Sequence, residues 1–102
     1  IDSHELSLMK RTAILINAAR GPIVDYTALA AALKNGSIAG AGIDVFEGEP
    51  PISAGHPLSS APHVLASPHI GFATKEAMVK RATIAFENIR KWADGRQQNI
   101  IC

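Results

Sequence analysis

The sequence has little cysteine, few aromatic side chains and almost no net charge, and each shortage excludes a class of protein. Its 102 residues contain one cysteine, Cys102, which excludes an internal disulfide framework and a cysteine-ligated zinc module. Ten Lys and Arg against nine Asp and Glu leave a formal charge of +1, with no basic cluster for nucleic acid. The longest apolar run is far shorter than the ~18–20 residues of a membrane span. We therefore expect a cytoplasmic protein with neither a nucleic-acid nor a membrane partner.

The apolar content is nevertheless high enough for a folded core. Hydrophobic residues make up 47% of the chain and charged residues 19%, which excludes a disordered polypeptide. With one Trp, one Tyr and three Phe, that core must be mostly aliphatic and alanine-rich. The length allows one small domain.

Short apolar runs alternate with helical patterns. Residues 13–16 predict a strand buried on both faces, because no polar residue alternates there. Residues 38–46, with small residues that allow close approach of another backbone, and residues 64–66 predict two further strands. Residues 3–9 predict a short helix capped by Ser3, and residues 26–35 predict a helix between Asp25 as N-cap and Gly36.

A longer helix is predicted from Thr74 to about Ala93, with Gly95 just beyond it. Apolar residues recur on one side at helical spacing, which predicts one buried and one wet face. They are Met78, Ala82, Ala85, Ile89 and Trp92.

This alternation predicts an α/β fold with a parallel sheet and right-handed crossovers. Three parallel strands cannot cover both of their faces or pair both of their edges. We therefore interpret the chain as the second half of a larger doubly wound domain and not as a complete fold.

Ligands of open parallel sheets bind beyond the carboxyl ends of the strands. Arg20 follows the first predicted strand, Asp44 and Glu49 follow the second, and His69 follows the third. A guanidinium, carboxylates and an imidazole at one edge favour a site for an anion with acid–base chemistry. Position alone leaves alternatives open: a structural ion pair for Arg20, a satisfied histidine for His69 and a solvated loop acid for Glu49.

Three other patterns carry no chemistry. His4 and Glu5 begin a metalloprotease-like helix, but Leu8 stands where the second histidine belongs. Residues 40–45 lack the third glycine of a dinucleotide fingerprint. His56 and His63 have no metal-ligand spacing and are interpreted as packing or surface residues, so no metal site is expected.

Three linked motifs carry a specific resemblance. They are LINAARGPIVD at residues 15–25, AGAGIDVFEGEP at residues 39–50 and SPHIGFAT at residues 67–74. In this order and spacing the chain resembles the C-terminal part of the NAD-binding domain of the D-isomer-specific 2-hydroxyacid dehydrogenases. The resemblance implies that residues 1–73 are the C-terminal half of a Rossmann-like NAD(P)-binding domain, and that the chain is a fragment of a larger two-domain protein. It also implies that residues 74–102 form a helix and tail that pack back toward the substrate-binding domain.

The resemblance also implies roles for individual residues. Arg20 matches the arginine that binds the substrate's carboxylate and carbonyl oxygens, His69 matches the acid–base, and Glu49 matches the carboxylate that pairs with it. The related formate dehydrogenases carry glutamine at the position of Glu49, so the glutamate favours the hydroxyacid dehydrogenases over the formate dehydrogenases. Asp44 matches the residue that bonds the nicotinamide carboxamide. The segments implied to line the cofactor are Ala18, Ala19 and Arg20, and His69, Ile70, Gly71 and Phe72.

The implied activity is hydride transfer between NAD, with NADP not excluded, and a 2-keto or D-2-hydroxy acid. Candidate keto acids are glyoxylate, hydroxypyruvate, pyruvate and phosphohydroxypyruvate. The other implied partners are the remainder of the polypeptide, including a phosphate-binding glycine loop before Ile1, and a second copy in a homodimer. The alternative is a non-catalytic, dinucleotide-sensing protein of the co-repressor type on the same fold.

Overall fold

A computed structural model describes residues 1–48 and 51–101. Its elements in chain order are α1 (Ser3–Ser7), β1 (Ile14–Asn17), α2 (Tyr26–Lys34), β2 (Gly40–Ile43), β3 (Val64–Ala66) and α3 (Lys75–Ala93). Two 3₁₀ turns, Gly21–Ile23 and Pro57–Ser60, interrupt the connections. The strands form one parallel sheet in the order β1-β2-β3. The predicted α/β fold with parallel strands is confirmed.

Two compact units divide the chain, Ile1–Ile70 and Gly71–Cys102. The first holds the sheet, α1 and α2, and the second holds α3 and the described part of the tail. None of the described helices combines the length and apolar content that crossing a bilayer requires.

The core of the first unit lies on one face of the sheet. Leu15 of β1 and Ala41 and Ile43 of β2 cluster there with the buried side of α2, where Leu29 and Leu33 are almost fully enclosed. The helix begins where predicted, because the Asp25 side chain accepts hydrogen bonds from the backbone N–H groups of residues 27 and 28. It ends before Gly36, whose φ of +64° belongs to the left-handed region.

The residue predicted to cap α1 was wrong. The N-cap of α1 is Asp2 and not Ser3, because Asp2 and Glu5 form a reciprocal capping box. The backbone N–H of Asp2 donates to Glu5 Oε2 at 2.7 Å, and this bond lowers the pKa of Glu5.

β1 is not buried on both faces in this chain. Ile14 and Ile16 are 64% and 76% exposed, as is Leu65 of β3 at 78%, and all three point to the face opposite α2. The absence of polar alternation predicts two-sided burial only where elements cover both faces. No element of the described residues of this unit covers the second face.

The apolar stripe of α3 is also exposed. The helix has the predicted ends, with Thr74 Oγ1 accepting from the N–H of Ala77 at 3.1 Å and a φ of +69° at Gly95. Its predicted burial was wrong, since Met78, Ile89 and Trp92 are 47%, 63% and 67% exposed. Periodicity specifies which side of a helix is apolar, but burial needs a second element to pack against it.

Candidate active site at the carboxyl ends of the strands

The three parallel strands end at one edge of the sheet, and the predicted site residues of the first unit follow those ends. Ala18, Ala19 and Arg20 come directly after β1, Asp44 comes directly after β2, and His69 and Ile70 come shortly after β3. Adjacent strands are parallel and in register, with Asn17 opposite Ile43 and Ile43 opposite Ala66. The topology therefore brings the three segments to a shared rim.

Asn17 fixes the first rim segment. Its side chain is buried, and its Oδ1 accepts from the backbone N–H of Ala19 at 3.1 Å. Its Nδ2 donates to the carbonyl oxygen of Arg20 and to the hydroxyl of Tyr26, each at 2.9 Å. Both functional groups of the amide are thus used to hold residues 17–20 in one turn.

The Arg20 side chain is exposed at this rim. Its Nη1 donates to the carbonyl oxygen of Ala19 at 2.7 Å. No carboxylate within residues 1–48 or 51–101 forms an ion pair with the guanidinium, so those residues do not show the structural ion pair left open above. A planar, multiply donating group in this position suits a carboxylate ligand.

Gly21 brings the first rim segment against the second. A Cβ at this position would lie 2.3 Å from the carbonyl carbon of Phe46 and 2.5 Å from the backbone nitrogen of Glu47. Only a residue without a side chain allows such a backbone contact. No pattern in the sequence indicates this contact.

Asp44 joins the second rim segment to the third. The side chain is buried, and its Oδ1 accepts from the Ser67 hydroxyl at 2.5 Å and from the backbone N–H of Ile70 at 2.9 Å. These bonds lie on either side of His69 in the sequence. Asp44 therefore anchors the turn that carries the predicted acid–base, and Ser67 is a participant that the sequence analysis did not identify.

His69 occupies a strained backbone conformation. Its φ is +56°, a left-handed value that non-glycine residues seldom adopt, and its side chain is half-buried. Such strain persists only when the surroundings impose it, and it is concentrated at functional sites. The hydrogen bonds of Asp44 to Ser67 and Ile70, on either side of His69, provide the restraint here.

Three predicted site residues lie beyond this geometry. Glu49 falls outside the described residues, so its pairing with His69 stays a prediction. Gly71 and Phe72 belong to the second unit, where the Arg81 guanidinium carbon lies 4.8 Å from the centre of the Phe72 ring. Among residues 1–48 and 51–101, no three His, Cys, Asp or Glu side chains come together as a possible metal site.

Three aromatic rings pack together beside the segment that follows β2. The rings of Tyr26, Phe46 and His56 lie 5.3–5.9 Å apart between centroids. His56 Nδ1 accepts from the N–H of Leu58 at 3.2 Å, and its Nε2 lies 3.5 Å from Glu47 Oε2. His56 therefore has the packing role predicted for it. No local pattern in the sequence shows what the Tyr26 hydroxyl, at the start of a helix, will meet.

Comparison with known proteins agrees with this architecture. The chain is 47% identical over 96 residues to a glyoxylate reductase of Aeropyrum pernix, covering 94% of this chain and 28% of that protein. It is 45% identical over 103 residues to a glycerate dehydrogenase of Methylorubrum extorquens, covering 99% and 32% respectively. It also matches the structure of an acyclic imino acid reductase in complex with NADPH and D-Arg, with a TM-score of 0.88, 32% identity and coverage of 98% and 31%.

The chain thus spans less than a third of the length of each of these proteins. The model of the NAD-binding domain of the D-isomer-specific 2-hydroxyacid dehydrogenases matches residues 1–71. Residues 1–71 include the sheet and every rim segment described above. The chain belongs to the NAD-binding domain of the D-isomer-specific 2-hydroxyacid dehydrogenase family.

Proposed function

We propose that the protein containing this chain is an NAD(P)-dependent oxidoreductase that interconverts a 2-keto acid and its D-2-hydroxy acid. The observation that carries this proposal is the rim itself, where Arg20, Asp44 and His69 follow the ends of three neighbouring parallel strands. The names of the two relatives refer to glyoxylate and to glycerate, and glycerate is the hydroxy acid formed by reduction of hydroxypyruvate, so they favour these two keto acids over the other candidates. No observation favours the dinucleotide-sensing alternative.

The residues at the rim suit a nicotinamide ring. Ala18 and Ala19 are exposed and carry only methyl groups, which leaves room for a planar ring above the end of β1. Asp44 presents a carboxylate, the type of acceptor that a carboxamide N–H requires. NAD is the proposed cofactor, and NADP is the alternative. When bound, the nicotinamide supplies the hydride that reduces the keto carbon.

Arg20 is proposed to bind and polarise the substrate. Its guanidinium can donate two parallel hydrogen bonds to the carboxylate of a keto acid and a further one to the keto oxygen. Negative charge grows on that oxygen as the keto group is reduced, and a preorganised cation beside it stabilises the charge. Arg20 is suited to this task because no carboxylate of the described residues occupies it.

His69 is proposed to deliver the proton. An imidazolium within hydrogen-bonding reach of the keto oxygen can protonate it, and the neutral imidazole accepts the hydroxyl proton in the reverse direction. Glu49 is proposed as the carboxylate that favours the charged imidazolium, so that the two groups titrate as a coupled pair. The Asp44 anchor supports this role, since it holds the turn on both sides of His69.

The remainder of the polypeptide is proposed to cover the exposed apolar surfaces. Residues 1–73 correspond to the C-terminal half of the cofactor domain, and residues 74–102 are proposed to pack toward the substrate-binding domain. The exposed sheet face and the apolar stripe of α3 support this assignment, since such surfaces normally pack against other elements. A cytoplasmic homodimer is the proposed state. Its support is the family resemblance together with a cysteine content that suits a reducing compartment.

The activity can be tested directly on the full-length protein. Purified enzyme is mixed with NADH or NADPH and, in turn, with glyoxylate, hydroxypyruvate, pyruvate and phosphohydroxypyruvate. We expect loss of the reduced-nicotinamide absorbance with at least one keto acid, and formation of the corresponding 2-hydroxy acid, in the D configuration wherever that product is chiral. If neither cofactor is oxidised with any of the four keto acids, the proposed function is overturned.

Substitution of Arg20 should act mainly on substrate binding. In the full-length enzyme, Arg20→Lys is expected to raise KM for the keto acid about 10²-fold, because one ammonium cannot reproduce the bidentate geometry. Steady-state kinetics at saturating cofactor measures this effect. Arg11→Lys is the control, since Arg11 lies before β1 and its Nε donates to the carbonyl oxygen of Gly36 at 3.3 Å, away from the rim. Equal KM values for the two variants would contradict the role of Arg20.

A further inference from the structure

The hydroxyl of Tyr26 lies between two rim segments. It donates to the carbonyl oxygen of Val45 at 2.7 Å and accepts from Asn17 Nδ2 at 2.9 Å. The same Asn17 nitrogen donates to the carbonyl oxygen of Arg20 at 2.9 Å. One continuous chain of hydrogen bonds therefore runs from the backbone after β2 to the backbone of the predicted substrate-binding arginine.

This hydrogen-bond chain is buried and held by a rigid element. Tyr26 is 2% exposed and stands at the first position of α2, whose next turns are anchored in the core by Leu29 and Leu33. Asn17 is 4% exposed. In such surroundings a lost hydroxyl leaves polar groups on both sides without the partner they have now, and water cannot easily replace it.

A purely structural tyrosine would need only its ring in this place. The ring packs against Phe46 and His56 with centroid separations of 5.9 and 5.4 Å. Within residues 1–48 and 51–101 the hydroxyl adds two hydrogen bonds, one directly to the Val45 backbone and one through the Asn17 side chain to the Arg20 backbone. The Val45 carbonyl lies next to the Phe46–Glu47 backbone on which Gly21 packs, so the hydroxyl and the glycine contact restrain the same two segments.

We propose that Tyr26 is a positioning residue. Its hydroxyl, acting through Asn17, holds the Arg20 segment at a fixed position relative to the segment after β2. This inference rests on the proposed function, because the consequence of misplacing Arg20 is weaker engagement of a keto acid. Tyr26 acts on the substrate only through other residues. The Asp44 carboxylate proposed for the cofactor is held separately, by the Ser67 hydroxyl and the N–H of Ile70, so cofactor binding should be affected much less.

Tyr26→Phe in the full-length enzyme tests the hydroxyl alone, because the ring and its packing are retained. We expect KM for the keto acid to rise about tenfold, kcat to fall less than about threefold, and KM for the reduced cofactor to stay within about twofold. Leu33→Val is the matched control. It removes one buried methylene from the same helix, far from the rim. It should lower Tm by a few degrees, about as much as Tyr26→Phe does, without changing KM.

A double-mutant cycle with Asn17→Ser tests whether the two residues act through one network. If they do, the double variant should raise KM no more than the Asn17→Ser variant alone. The positioning role is overturned if the two substitutions multiply their effects on KM in the double variant. It is also overturned if Tyr26→Phe leaves KM unchanged, or if Leu33→Val shifts KM by as much as Tyr26→Phe does. An inactive wild-type enzyme would instead overturn the proposed function on which that role rests.

Discussion

His69→Asn in the full-length enzyme should lower kcat for keto-acid reduction by about 10²- to 10⁴-fold, the usual contribution of a positioned general acid. KM for the keto acid should change by less than about threefold, since substrate binding is assigned to Arg20. Asparagine is the informative replacement because it tolerates the left-handed backbone found at this position, where φ is +56°. The change therefore removes the imidazole and leaves the turn in place.

His63→Asn provides a closely matched control. His63 also has a left-handed backbone, with a φ of +57°, but it precedes β3 at the opposite end of the strand from the rim. Its replacement should leave kcat within about twofold, because neither its backbone conformation nor the site is disturbed. A kcat for His69→Asn within tenfold of wild type would contradict proton transfer by His69.

Gly21→Ala is expected to impair both stability and activity. The added Cβ would lie 2.3 Å from the Phe46 carbonyl carbon and 2.5 Å from its oxygen, and neither backbone atom can rotate away. Two rim segments must then separate, which we expect to cost about 3 kcal/mol or more of the free energy of unfolding. The displaced Arg20 should lower kcat/KM for the keto acid at least tenfold in whatever enzyme remains folded.

The control for this prediction is Gly36→Ala. At Gly36 the only atom of the described residues within 4 Å of a new Cβ is Arg11 Nη2, at 3.9 Å, so the cost is that of a positive φ alone, about 1–2 kcal/mol. Thermal unfolding and steady-state kinetics of the two variants separate conformational strain from the backbone contact. A Gly21→Ala enzyme as stable and active as Gly36→Ala would show that the rim tolerates the separation.

Local chemistry made much of the fold predictable. Asp25, Gly36, Thr74 and Gly95 mark the ends of α2 and α3 because caps act through hydrogen bonds and backbone conformations only a few residues away. The three short apolar runs became three parallel strands, joined by one crossover through α2 and one irregular crossover that contains a 3₁₀ turn. The exception at this level was α1, where Asp2 and Ser3 are both good caps and only the bond to Glu5 favours Asp2.

Burial was much less predictable. The same patterns that located β1 and α3 also predicted enclosed faces, yet Ile16 and Trp92 are largely exposed in this chain. Hydrophobicity specifies which surface needs a partner and carries no information about whether that partner lies within the same 102 residues. The Arg20, Asp44 and His69 positions could be placed at one rim from strand order alone, whereas the pairing of Glu49 with His69 stays a prediction.

The sequence by itself determined the order of elements, their ends, the side of each that is apolar and the family to which the chain belongs. All of these follow from interactions between near neighbours or from motifs read along the chain. Tertiary structure alone decided that Gly21 touches the Phe46–Glu47 backbone, that Asp44 anchors the turn at His69, and that the Tyr26 hydroxyl joins Val45 to Asn17. Each of these contacts joins residues 9 to 26 positions apart, and its existence depends on ångström-scale packing that no local pattern encodes.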